Sequence, residues 1–146
     1  WDEAEADLLK ARRLSGNQPF VLNYLGYSWI DNGVNLYQGL EMIKKAVAQE
    51  PRNGFFVDSL GWAFYRMKDF RAAVQFLEKA TELEPDDPEI IDHLGDALWQ
   101  SGRQIEARYQ WRRALALEDD TTKQKEIEDK IDHGVIQDAS GPGPAI

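Results

Sequence analysis

The apolar positions of this chain fall at helical spacing in a succession of paired segments. The stretch GFFVDSLGWAFYR, residues 54–66, shows the pattern most densely. Phe56, Val57, Leu60 and Phe64 recur at helical spacing along one side. Phe55, Asp58, Trp62 and Tyr65 share the opposite side, spaced as one face of a helix. Residues Trp1–Leu14 read as one helix, three helix pairs follow as far as residue 121, and a helix of roughly three turns comes next, with Thr121 or Thr122 as its cap. Gly134 is the expected end of that last helix. Its apolar stripe is narrow, Ile127 and Ile131, which suits a polar cap on the preceding pair. The remaining GVIQDASGPGPAI is rich in Gly and Pro and reads as irregular.

The pairs repeat. Ala46, Ala80 and Ala114 are 34 residues apart, as are Gly39, Ala73 and Ala107, and as are Pro51, Pro85 and Asp119. Leu60-Gly61 and Leu94-Gly95 keep the same interval, while Leu25-Gly26 lies 35 before Leu60-Gly61. The first repeat therefore carries one extra residue, near Asp31–Asn35. Gly26, Gly61 and Gly95 let another helix come close, and the three alanines do the same on the second helix. Gly39 stands inside a helix at a cost of ~1 kcal/mol relative to Ala, which implies either tighter packing or an irregular turn. Ser15-Gly16-Asn17 and Arg52-Asn53-Gly54 read as stop signals, and Asp87-Pro88 as an N-cap followed by a first-turn proline.

This period, with its Leu-Gly pair, its Ala positions and its closing Pro, resembles the tetratricopeptide repeat. The resemblance covers residues 1–121 and divides the chain into units. Residues 1–18 are the second helix of a truncated repeat; 19–53, 54–87 and 88–121 are three repeats. Residues 122–134 are a capping helix and 135–146 an irregular tail. The implied fold is all-α, a right-handed α-solenoid of antiparallel helix pairs. The resemblance also implies that the first helix of each repeat lines a concave groove. Its side chains would be Phe20, Asn23, Tyr24, Tyr27, Ile30 and Asp31 in the first repeat, and Phe55, Asp58, Ser59, Trp62, Tyr65 and Arg66 in the second. In the third they would be Glu89, Asp92, His93, Asp96, Trp99 and Gln100.

Rings thus dominate two repeats, and Glu89, Asp92 and Asp96 form an acidic wall in the third, with Trp99 at its end. An aromatic stripe on a helix is ordinarily core, so Phe55 and Tyr65 are open to either role, whereas Trp62 and Tyr27 are expected to be exposed. Exposed rings beside unpaired carboxylates suit a peptide with apolar anchors and Lys or Arg. Tetratricopeptide co-chaperones hold an acidic C-terminus with Lys, Arg and Asn on this face. Only Asn23 and Arg66 supply that chemistry here, so tight binding of an acidic C-terminal peptide is not expected.

Composition narrows the partner. The net charge of the 146-residue chain is −9, which disfavours a nucleic acid and favours a basic or neutral protein. No apolar run approaches the ~20 residues of a membrane span. The chain opens at Trp1 within a helical pattern, which reads as a fragment or processed product. With no Cys there is no disulfide or thiol chemistry. His93 and Asp96 could share a metal ion, but the spacing matches no zinc motif. No phosphate loop or nucleophile motif occurs, and neither an enzyme nor a cofactor is expected. Arg103, Arg108, Arg112 and Arg113 read either as partners of Glu106 and nearby acids or as a convex docking surface.

The expected function is a protein-binding adaptor or scaffold. The alternative is the structural or self-associating end of a longer array, with homo-oligomers forming through the truncated N-terminal face or the tail. LNYLGYSWIDNG, DSLGWAFYRMKDF and HLGDALWQSGRQIEARYQW are similar to C-terminal repeats of bacterial envelope tetratricopeptide proteins. That resemblance implies a periplasmic setting and an adaptor for a processing protease, with the cytoplasm as the other possibility.

Overall fold

The computed structural model describes residues 1–16 and 18–135. Asn17 of the first stop signal, and the tail from residue 136 onward, lie outside the described residues. The elements are α1 (Asp2–Ser15), α2 (Pro19–Asp31), α3 (Leu36–Gln49), α4 (Gly54–Arg66), α5 (Phe70–Leu83), α6 (Pro88–Gln100), α7 (Gln104–Leu117) and α8 (Thr121–His133). Among the described residues there is no strand. Each helix packs on the next, and α2 touches α4 as α4 touches α6. The chain is therefore an α-solenoid in which α2, α4 and α6 lie side by side.

Local chemistry sets the helix ends. Asn53, Asp69, Asp87 and Asp120 accept hydrogen bonds from first-turn backbone N–H groups of α4, α5, α6 and α8. The cap of α8 is Asp120, at 3.0 Å from the Lys123 N–H, rather than either threonine expected from the sequence. Asn53 likewise starts α4 instead of stopping α3. The α2–α3 link holds residues 32–35, one more than the links 67–69 and 101–103. It uses two left-handed residues, Gly33 and Asn35, where the shorter links use Lys68 and Gly102.

Close approach explains the helical glycines. A Cβ on Gly26 would stand 2.6 Å from the Gly39 carbonyl, and one on Gly39 would stand 2.9 Å from that of Gly26. The two backbones meet there, so tight packing accounts for Gly39. Gly61 makes room for Leu77, and Gly95 for the indole of Trp111. The core runs the length of the stack, from Leu22 and Leu25 through Ile43, Val57 and Leu77 to Ile91 and Trp111. It ends at Ile127, the one fully covered apolar residue of α8.

In α8 the residues 34 beyond Leu94-Gly95 are Glu128-Asp129, both exposed. The helix takes the place of another repeat's first helix but offers charge where a second helix would pack. It seals the stack by solvating it.

Candidate functional site

The face formed by α2, α4 and α6 carries the expected rings, but they fall into two groups. Phe20, Tyr24 and Phe55 are 59%, 52% and 51% exposed. Phe20 and Phe55 occupy the first turns of α2 and α4, and the Phe20 and Tyr24 rings meet edge to face at 4.8 Å. Tyr27, Trp62 and Tyr65 are half-buried. Trp62 stacks on Tyr65 at 4.7 Å and on His93 of the next repeat at 4.1 Å. Trp62 is thus a packing element joining α4 to α6, not the exposed anchor that the sequence suggested.

The carboxylates also depart from expectation. Asp58, His93 and Asp96 are buried. His93 Nδ1 pairs with Asp58 Oδ1 at 2.8 Å, and His93 Nε2 lies 4.0 Å from Glu89. Burial works against charging His93, but Asp58, Glu89 and Asp96 outweigh it and raise its pKa to about 9. Lys130 of α8 donates to Asp92 at 3.1 and 3.2 Å and to Asp96 at 3.1 Å. Trp111 Nε1 donates to the other Asp96 oxygen at 3.1 Å. Burial, aided by Asp92, holds Asp96 up at about 6 against the pull of Lys130. Asp58, Asp92 and Asp96 are therefore not unpaired carboxylates, because each is matched by a cation from the next turn of the solenoid.

The exposed acids on this face are Glu89, its side chain 60% exposed, and Asp31, its side chain 52% exposed and 3.3 Å from Arg66. They surround Tyr27, whose hydroxyl is pushed far above its ordinary pKa by burial and then by Asp31, Glu89 and Asp58. Tyr65 is pushed up to about 12, by burial and then by Asp96. Asn23 is half-buried, and Ile30 and Ser59 are fully buried, so these three present little surface. Trp99 is half-buried: Gly134 lies against its ring and the Arg108 guanidinium stands 5.0 Å over it. Among the described residues no group of three or more His, Cys, Asp or Glu could hold a metal ion.

Sequence reasoning did not bring Lys130, Arg108 or Trp111, which belong to α7 and α8, to this face. The signal for Lys130 was present, since it stands 34 residues after Asp96, which stands 34 after Trp62. Of the arginine cluster, Arg103 pairs with Glu106 at 2.5 Å and Arg108 donates to the Ile131 carbonyl at 3.0 Å. Arg113 donates to Gln110 and Pro85. Internal partners absorb three of the four arginines.

Known proteins place this geometry. A tetratricopeptide repeat family model matches residues 58–87. The TPR repeat-containing protein PA4667 of Pseudomonas aeruginosa is 34% identical over 74 residues, covering 50% of this chain and 12% of its own length. Among solved structures, a crystal structure of MamA superposes with a TM-score of 0.72 at 20% identity, covering 89% of this chain and 74% of that one. The first TPR of Spaghetti (RPAP3), bound to the HSP90 peptide SRMEEVD, superposes at 0.65 and 20% identity, covering 79% and 94%. These likenesses share the fold. The 34-residue period, the stacked helix pairs and the family model matched over residues 58–87 make the chain similar to tetratricopeptide-repeat proteins.

Proposed function

We propose that the chain is an adaptor module that holds a segment of another protein against the α2–α4–α6 face. The observation that carries this reading is the exposure of Phe20, Tyr24 and Phe55 on two adjacent first helices. Exposed rings at equivalent places on neighbouring helices offer apolar anchor sites, with Glu89 and Asp31 beside them to favour a Lys or Arg on the ligand. Tyr27, Trp62 and Tyr65 form the floor behind these anchors. An acidic C-terminal peptide does not suit this face, so SRMEEVD is not expected to bind.

Selection of a random peptide library on the immobilised chain tests the reading. Aromatic or aliphatic sequences with Lys or Arg are expected, and a Phe20→Ser/Phe55→Ser variant of equal helicity should lose them. Retention by that variant, or enrichment of acidic sequences, overturns the proposal.

A second reading, the structural end of a longer array, draws on one fact: this chain spans only about an eighth of the curated relative it matches. Mass that grows with concentration in light scattering, with no peptide selected, would favour it. On sequence resemblance the proposed setting is the bacterial envelope, as adaptor to a processing protease; fractionation of cells expressing the whole protein checks that.

A further inference from the structure

At the third repeat, α8 already lies against Asp92 and Asp96 of α6, and the Gly134 that ends it lies against Trp99. Lys130 places its ammonium between Asp92 and Asp96, with Nζ at 3.0 to 3.2 Å from their oxygens. One turn earlier Ile127 enters the core, and Ile131 packs beside it. Gly134, at φ +74, brings the backbone directly against Trp99. A helix with an aliphatic side chain three residues before a lysine thus fills the surface that sequence reasoning assigned to a basic ligand. Its remaining surface is polar, and Ile127 is its one fully buried apolar residue, so α8 has less apolar anchorage than any of α2 to α7. Helices held mainly by polar contacts are drawn from the low-stability end of a fold.

We infer that the Asp92–Asp96–Trp99 surface is a receptor for a helix of pattern aliphatic-x-x-Lys, and that α8 is its resident occupant, displaced when a partner presents the same pattern. This rests on the concave face being the working face, and it sets how far the ligand track extends. With α8 seated, the track spans the first two repeats; with α8 released, it reaches Trp99. The Lys130 ammonium is the only cation that Asp92 and Asp96 contact among the described residues, so a competitor must replace it with another. Asp96 is buried and Asp92 half-buried, and a buried carboxylate left beside another without a cation is strongly disfavoured.

The test uses a synthetic peptide copying residues 121–135, added in trans to the full chain. That peptide has three lysines and four carboxylates, so bulk attraction to an acidic protein cannot explain its binding. Calorimetry should show it binding a Lys130→Ala chain at least tenfold more tightly than the parent, whose own α8 competes from the same molecule. A peptide bearing the Lys130→Ala change should lose binding at least tenfold. Hydrogen exchange on the unaltered chain supplies a readout independent of the variant's folding. A mass-tagged peptide in excess should raise exchange in 121–133 of the chain. No binding to the variant, equal binding to variant and parent, or unchanged exchange in the parent's α8 would each overturn the inference. Phe20→Ser/Phe55→Ser should leave this exchange intact, so failure of the ring face and failure of the α8 receptor are separable.

Discussion

His93 Nδ1 lies 2.8 Å from Asp58 Oδ1, one repeat away, with both side chains buried and the indole of Trp62 stacked on the imidazole. The equivalent step in the next repeat is Lys130 on Asp92 and Asp96. Asp58, Asp92 and Asp96 are thus each answered by a cation from the following first helix, and these pairs join α4 to α6 and α6 to α8.

The His93 pair makes stability depend on pH. Its folded pKa of about 9 lies above the free value of 6.5, so its contribution is complete below pH 6.5 and fades as pH rises through 9. The shift corresponds to about 3 kcal/mol at most. Asp96 has the same sign but titrates lower, near 6, and does not overlap this window. Thermal melts should show the parent losing stability between about pH 7 and 10, and His93→Gln, less stable at neutral pH, should be flat over that range. A parallel decline in both proteins would mean that another group carries the effect.

Gly26→Ala should cost about 3 kcal/mol in urea unfolding. The added Cβ meets the Gly39 carbonyl, which is backbone and cannot swing aside, and overpacking outweighs the ~1 kcal/mol gained in helix propensity. Gly61→Ala meets first the side chain of Leu77, which has rotamers to use, and should cost less, on the order of 1–2 kcal/mol. Equal costs would mean that α2 and α3 can separate more easily than the Gly26–Gly39 contact implies.

Lys68 offers the opposite change. It holds φ +65 in the α4–α5 link, where the next repeat has Gly102 at φ +83. Lys68→Gly should stabilise by about 0.5–1 kcal/mol, because left-handed backbone is strained for a residue with a side chain, though the extra freedom of the unfolded chain offsets part of the gain. A loss of stability would point to an unrecognised contact of the lysine.

The period made the fold legible, because glycines and alanines at fixed intervals are the places where helices must touch. Gly26 and Gly39 show it most directly, since neither position tolerates a Cβ. The candidate face was legible only in part. Helical spacing places Trp62 and Asp58 on one side, but it does not say what the next repeat brings against them. His93, Lys130 and Arg108 arrive from other helices, and a side chain's partner across 34 or 35 residues depends on rotamer and superhelix geometry that no local pattern encodes. Phe55, which the sequence left open between core and groove, is exposed like Phe20 because a first-turn position has fewer neighbours to cover it.

The division between anchors and floor leads to the sharpest contrast. Phe20→Ser and Phe55→Ser remove rings that are more than half exposed and should change stability by no more than about 0.5 kcal/mol each. Trp62→Ala removes a ring stacked on Tyr65 and His93, and should cost about 2–3 kcal/mol in urea unfolding. It should also move the pH dependence set by His93, since the indole covers the imidazole that Asp58 charges. A selected peptide should therefore lose affinity for the two Phe variants at unchanged stability, whereas Trp62→Ala should lose both together. If the Phe variants unfold as readily as Trp62→Ala, those rings are core and the binding face lies elsewhere. If Trp62→Ala keeps full stability, the stack with His93 does not hold α4 to α6, and the indole is free to meet a ligand.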